Sequence, residues 1–456
     1  MRVARFDVLV VGAGPAGSVA ATVLARSGAR VALLDKAAFP RDKACGDLIG
    51  PRGVQLLRDL ALPIPAGPRV GPMLVVGPTG RRVHLPNAAG LTYPDHGLAA
   101  RRASFDMLLR AAAVDAGAVP ILGRADRPLW SDGHGDGSHL DGFEVSADHA
   151  ARADFVIGAD GATSRVATVS GLIEGAKVLW GFAVRAYQPQ PVDLPAIVLW
   201  EPTRWRGFPG YGWLFPGADG DANVGLGVGT GSDRQAGSHA VRALPDFLAH
   251  LRTLGLLADG PPALPTPRLG GWLKMGMVGT TPAAGRVLLV GDAAGLVNPL
   301  QGEGISQAMS SGRWAAEAIL QDQGGAAGLY RARLAAAHLP YQRITAVLQS
   351  AIVGRPRAVA VVARLLATAG RTDTLTGAWA VFWNELLDGA PPGASRTVAS
   401  VVSRLGRIAT APTATARWFD TALGPQPAGV GPGGVSPTPV VVAPGSGEAD
   451  ELNSRP

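Results

Sequence analysis

Residues 6–35 constrain this chain more than any other stretch of similar length. FDVLVV (6–11) reads as a buried strand and Gly12-Ala13-Gly14-Pro15-Ala16-Gly17 as a tight turn. Residues 18–27 read as a helix and RVALLD (30–35) as a second buried strand. The glycines follow G-x-G-x-x-G at a strand-to-helix junction. Gly12 permits the turn, Gly14 lets the backbone approach a pyrophosphate, and Gly17 lets the helix pack closely on the sheet. The helix start turns its positive end toward the phosphates. Asp35, closing the second strand, is placed to hold a ribose hydroxyl. The run from Val8 to Ala25 is uncharged and apolar behind Arg2 and Arg5, as in a signal peptide or a membrane span. Neither alternative explains Gly12, Gly14, Pro15 and Gly17 at fingerprint spacing, and no other uncharged apolar run reaches spanning length.

At 456 residues the chain exceeds one simple core, and its 47% hydrophobic content can fill a large one. A helix is expected over 104–117 and short strands over 119–123, 143–147 and 154–158. Residues 178–230 alternate apolar and polar with many glycines, as in antiparallel strands. Residues 287–291 return to a buried strand and 303–322 to a helix. The fold expected is mixed α/β: a Rossmann-like nucleotide domain from 1–175 and 270–330, interleaved with an antiparallel-sheet substrate domain over 176–269. A helical region over 331–420 and a Pro/Gly-rich tail over 424–456, expected to be disordered, complete the chain. The net charge of +7 is too mild to imply nucleic acid, and no such partner is expected. The single cysteine, Cys45, excludes an intrachain disulfide and suits a reducing, cytoplasmic setting. Residues 331–420 are rich in arginine. They form either a solvated face or a peripheral attachment to anionic lipid on the inner face of the cell membrane.

The fingerprint alone does not separate NAD from FAD. GADGATSR (158–165) and GDAAGLVNPLQGEG (291–304) resemble the DG and GD motifs of the FAD-dependent hydroxylase and reductase superfamily, and RASFD, with Arg102, its R-x-x-φ-D pattern. FPRDKACGD (39–47) resembles the P-R-x-K-x-C-G loop of the geranylgeranyl reductase family of FAD-dependent oxidoreductases. YGWLFP followed by Gly225-Leu226-Gly227 resembles that family's [YF]-x-W-x-F-P…G-x-G signature. CGD followed by Pro51-Arg52, PGYGW from Pro209 and NPL-x-GEGI from Asn298 bring it closest to the actinobacterial menaquinone reductases. The resemblance implies a nucleotide domain of the p-hydroxybenzoate hydroxylase type and FAD as cofactor. Its FAD-facing residues would be Gly12 to Gly17, Asp35, Lys36, Arg41, Cys45, Gly46, Asp47, Arg102, Asp160, Gly161, Gly291, Asp292, Pro299, Gly302, Gly304 and Ile305, with no metal. It also implies reduction of a C=C bond in a prenyl lipid or prenylquinone, with hydride from flavin N5. Tyr211, Trp213, Phe215, Pro216, Gly225 and Gly227 would line the isoprenoid channel. In a strand, the three aromatics share one face.

For the proton, Cys45 and Tyr211 are the candidates, and Arg41 and Lys43 are expected to lower the Cys45 pKa. Cys45 also reads as only a small residue beside the ring. The reductant is NAD(P)H or an electron-donor protein. The alternatives are a class A flavin monooxygenase acting on an aromatic or polyketide-like substrate, a flavin halogenase, whose W-x-W-x-I-P motif is half met, and an FAD-binding module without catalysis.

Overall fold

The computed structural model describes residues 2–77, 80–86, 89–133, 137–146, 148–200, 210–230, 235–260, 268–352, 378, 380–382, 384–410 and 440–442. The strand Arg2–Val11 pairs in parallel with Val31–Asp35 on one side and His149–Gly158 on the other. Val119–Leu122 extends the sheet past the second strand, and Val287–Leu289 extends it past His149–Gly158. The first strand therefore lies at the point where strand order reverses, and such a sheet binds its ligand beyond the strand ends there. The central strands are near-continuous apolar runs, buried in a core shared with the helices Pro15–Arg26 and Ile305–Gln321 and with Leu140, Phe143 and Val145 of the strand Gly137–Ser146.

The helices Pro15–Arg26 and Ile305–Gln321 lie side by side. Small residues let them touch: a Cβ added at Gly312 would stand 2.1 Å from the Ala16 carbonyl oxygen, and one at Gly291 3.2 Å from the Ala16 Cβ. At Gly12 φ is +106°, and a Cβ would meet the Ala159 carbonyl oxygen at 2.2 Å. A side chain is excluded there twice over.

The second sheet runs, in order, Val440–Val442, Arg268–Met275, Leu179–Gln188, Ala222–Gly229, Gly210–Pro216, Ala196–Val198, Met73–Val76 and Arg82–Leu85. One face is covered by the helix Ala236–Thr253 through Leu244, Phe247, Leu248 and Leu251. The other faces the nucleotide domain. Two parts of the expected division are corrected. Met73–Val76 and Arg82–Leu85, assigned to the nucleotide domain, join this sheet through a parallel pairing of Met73–Val76 with Ala196–Val198. Parallel pairing recruits strands from any distance along the chain, which local alternation does not reveal. Of the tail expected to be disordered, Val440–Val442 pairs with Arg268–Gly270; the rest of it lies outside the described residues. The expected helical region holds Leu339–Ile352 and Ala394–Thr410, while residues 353–377 are outside the description.

Gly312→Val should test the helix contact. Overpacking against backbone is expected to cost about 3 kcal/mol or more, read as a lower urea midpoint at an unchanged m-value.

Candidate functional site

Between the two sheets lies a cavity of about 350 Å³. One side is formed by Pro15, the loop Lys43–Gly46, Arg102, Asp292 and the turn 299–304, and the other by Met73, Leu85, Ile197, Leu199, Tyr211, Trp213, Phe215 and Leu273. The aromatic triplet thus faces the space above the nucleotide fingerprint. Trp213 and Phe215 lie nearly parallel at 6.2 Å between centroids, and Tyr211 is 6.5 Å from Trp213.

The wall is pinned at both ends. The Tyr211 hydroxyl donates to the carbonyl of Gln301, inside the turn 299–304. The Trp213 Nε1–H donates to Asn223 Oδ1 at 2.9 Å. Asn223 Nδ2 in turn donates to the Cys45 carbonyl at 2.8 Å and to Asp47 Oδ2 at 2.9 Å. Tyr187 also donates to Asp47 Oδ2. Pro216 and Gly225 do not line the cavity, contrary to expectation. Gly225 lies under the indole, where a Cβ would meet Trp213 Cζ2 at 2.2 Å, so it seats the ring instead of touching substrate. Pro216 pairs with Ala222 at the strand end and is buried on the opposite alternation. Gly227 does line the cavity.

The nucleotide side fits FAD. The helices Pro15–Arg26, Pro51–Asp59 and Arg102–Asp115 start without a hydrogen bond from an N-cap side chain, and Pro15, Pro51 and Arg102 all border the cavity. Such starts leave N–H groups and positive dipole ends for an anionic ligand. Gly14 carries open space beside it, bounded by the Arg41 guanidinium 3.4 Å from a would-be Cβ. Asp35 accepts from the backbone N–H of Ala13 (2.8 Å) and Ala37 (2.9 Å), one bond to each oxygen. Each oxygen keeps a lone pair for a ribose hydroxyl. Lys36 is exposed just beyond. Asp292 contacts Lys43 Nζ at 2.8 Å. Gly302 has φ +71°, and Gly304 and Ile305 begin the helix beside the cavity.

Four expectations change. The Asp160 carboxylate accepts from Ser164 Oγ (2.5 Å) and the backbone N–H of Arg165 (2.6 Å) and Val166 (3.1 Å), building the turn at Gly161 away from the cavity. Asp47, expected at the cofactor, is buried behind the lining and held by Asn223 and Tyr187. The Cys45 thiol is raised, not lowered. Burial pushes it up, and the opposing pull comes first from Arg102, with Lys43 the weakest contributor. Arg41 is occupied elsewhere, on Asp106 Oδ2 at 2.6 Å. Tyr211 is the less suitable acid, because its proton is engaged by the Gln301 carbonyl, and burial raises its pKa as well.

Several functional residues escaped the sequence reading. Asn223 had a signal: it shares the wall-facing alternation of Gly225 and Gly227 and stands opposite Phe215. Asn298 Oδ1 accepts from Leu300 N (2.9 Å) and Gln301 N (3.3 Å) and so shapes the turn 299–304. Lys274 is fully buried and donates to the Ala293 carbonyl in the GD turn. Burial pushes its ammonium down to about 8, against the pull of Asp160 and Asp292.

Burial pushes Asp47 up to about 6 from 3.8, with the bonds from Tyr187 and Asn223 and the Arg185 charge opposing. The native state then binds the proton more tightly than the unfolded chain. Stability from this group is full below pH ~4 and is lost as pH rises through ~6, about 3 kcal/mol at 1.36 kcal/mol per unit. Asp47→Asn should flatten this component of the urea midpoint measured from pH 4 to 7. Asn tolerates the φ of +61° at this position.

Comparison with known proteins agrees with this geometry. An FAD binding domain family matches residues 5–198. The chain is 36% identical over 328 residues to a menaquinone reductase of Mycolicibacterium smegmatis, covering 70% of this chain and 77% of that one. It is 36% identical over 338 residues to a digeranylgeranylglycerophospholipid reductase of Methanopyrus kandleri, covering 72% and 81%. A geranylgeranyl bacteriochlorophyll reductase-like structure from Thermoplasma acidophilum superposes with a TM-score of 0.54 at 20% identity, over 94% of this chain and 98% of that one. At that identity the structural likeness speaks for the fold alone. With both fingerprint and wall in place, the chain belongs to the geranylgeranyl reductase family of FAD-dependent oxidoreductases.

Proposed function

We propose that this protein saturates C=C bonds in an isoprenoid chain, that of a prenylquinone such as menaquinone or of a geranylgeranyl lipid. The observation that carries the reading is the cavity wall of Tyr211, Trp213, Phe215, Ile197, Leu199 and Leu273 set opposite the FAD-binding turns. A polyprenyl chain offers no hydrogen bonds, so it binds through apolar area at ~25 cal/mol per Å². Rigid aromatics supply that area at low entropic cost. An aromatic hydroxylase would need directed polar partners for its substrate. Here the Tyr211 hydroxyl and the Trp213 N–H both point their protons into the protein, which favours the reductase reading.

Reduced FAD, when bound, supplies a hydride from N5. The chain's own residues lay one isoprene unit along the wall and exclude water. The proton is assigned to the thiol of Cys45, a residue that borders the cavity. Its raised pKa keeps it a thiol at neutral pH. The thiolate left after donation is met by Arg102 and by the Asp47 N–H, 3.4 Å from Sγ. Solvent restores the proton between turnovers.

A membrane-dissolved substrate calls for a membrane-facing enzyme. Peripheral attachment at the inner face is supported by the helix Ala394–Thr410, which carries Arg396 and Arg404 and exposes Val401 and Leu405. Among the described residues no helix is long and apolar enough to cross a bilayer.

Anaerobic mixing of the dithionite-reduced protein with a geranylgeranyl lipid lacking a quinone should reoxidise the flavin and shift the lipid by +2 Da for each double bond reduced. Reoxidation by oxygen alone, with no mass shift, would sink the proposal. Cys45→Ala should slow the alkene step by about 10²-fold or more; turnover at the parent rate would remove the thiol as donor.

A further inference from the structure

We propose that Asn223 is a positioning residue for alkene reduction, fixing the separation between the aromatic wall and the Cys45 loop. The inference rests on the reductase reading above and adds a residue that does not itself touch the cavity.

Asn223 is fully buried, on the strand next to the wall and in register with Phe215. Its amide orientation is dictated by its neighbours. The Trp213 indole N–H is a donor only, so it requires Asn223 Oδ1. That turns Nδ2 toward two acceptors, the Cys45 carbonyl and Asp47 Oδ2. No flip of the amide satisfies all three partners, so one side chain sets both ends of the strut. One end is the indole that lies along the substrate. The other is the segment 45–47, whose Cys45 borders the cavity and whose Gly46 packs under Phe215: a Cβ there would meet the Phe215 ring at 2.8 Å. Wall and loop are therefore in van der Waals contact and hydrogen-bonded through the same residue. A loss of that link frees the indole to shift against the thiol, and a displacement of about 1 Å can cost roughly a hundredfold in a step that depends on alignment.

Charged and titratable groups surround the strut on its Asp47 side. Arg185 and Arg101 both lie over the Tyr187 ring, at 4.2 and 4.1 Å, Asp42 pairs with Arg185, and Asp221 pairs with Arg101. Asp47 Oδ1 has no partner among the described residues, and Asp47 does not line the cavity. Asp47 thus serves as an anchor for the amide and not as the proton donor.

The chemistry of the strut allows a swap. Asn223→Asp keeps the acceptor for Trp213 but loses both N–H donors and sets two carboxylates side by side. Adding Asp47→Asn restores one amide-to-carboxylate bond between the same two positions, run in the opposite direction. In the FAD-loaded protein, Asn223→Asp should lower the rate of flavin reoxidation by a geranylgeranyl lipid by about ten- to a hundredfold. Reoxidation by oxygen, which needs no alignment of a lipid, should stay at the parent rate, and so should FAD content. The double variant should recover most of the lost alkene rate. Trp213→Phe, which removes the N–H and leaves the loop bonds, should lower the alkene rate in the same direction. Parent-like alkene reoxidation in both Asn223→Asp and Trp213→Phe would overturn the inference, as would equal losses with alkene and oxygen in both. Failure of the parent protein itself to reduce the alkene would instead overturn the reductase reading.

Discussion

The site depends on how an apolar wall is held at its polar edge. Tyr211 and Trp213 present their ring faces to the cavity while their O–H and N–H groups bind inward, to Gln301 and Asn223. Buried aromatics with a polar tip need such partners, since an unpaired buried donor costs 1–3 kcal/mol. Gln301 lies in the turn 299–304, and Asn223, on the strand beside the wall, carries the link on to the segment 45–47 through the Cys45 carbonyl and Asp47. Satisfying two donors therefore also docks the antiparallel sheet on the nucleotide domain. The geometry of the slot follows from hydrogen-bond accounting in its walls.

Beneath the slot, the cofactor side is set by small residues. The helices Pro15–Arg26 and Ile305–Gln321 converge because Ala16, Gly291 and Gly312 remove the side chains that would separate them. The starts of both helices, at Pro15 and Ile305, border one cavity as a result, although they stand far apart in the chain. A doubly wound sheet supplies one such helix start per crossover, and the late return of the chain at Val287–Leu289 supplies the second. An elongated dinucleotide can then be met at both ends by backbone, with few charged side chains needed at the phosphates.

Much of this was legible in the sequence. The fingerprint fixed the first crossover because G-x-G-x-x-G has few other uses between a strand and a helix. The alternation Tyr211, Trp213, Phe215 fixed a one-sided wall because a strand has a strict period of two. What the sequence hid was partnership across the chain. Met73–Val76 carries no mark of pairing with Ala196–Val198, more than a hundred residues away. Asp160 sits in a motif suited to the cofactor, yet its oxygens meet the N–H groups that follow it. Arg41 and Lys43 flank Cys45 in sequence, but Arg102 is the cation that acts on the thiol most strongly. Sequence proximity is a poor guide to electrostatics once a loop folds over a helix start.

The state of Cys45 shows how those forces resolve. Burial opposes the thiolate, and Arg102 favours it. Arg102 is itself committed to Asp106 through two bonds of 2.7 Å, and Arg41 adds a third contact to the same carboxylate. Burial works to raise Asp106, but the two guanidinium groups and Lys43 hold it below the ordinary carboxylate range. Its negative charge therefore offsets part of the field that Arg102 would project onto the thiol. The arrangement leaves Cys45 protonated before reaction and still gives the sulfur a cation when it becomes anionic. The proton-donor role proposed for Cys45 needs both properties, and the Arg102–Asp106 pair is consistent with one thiol having them.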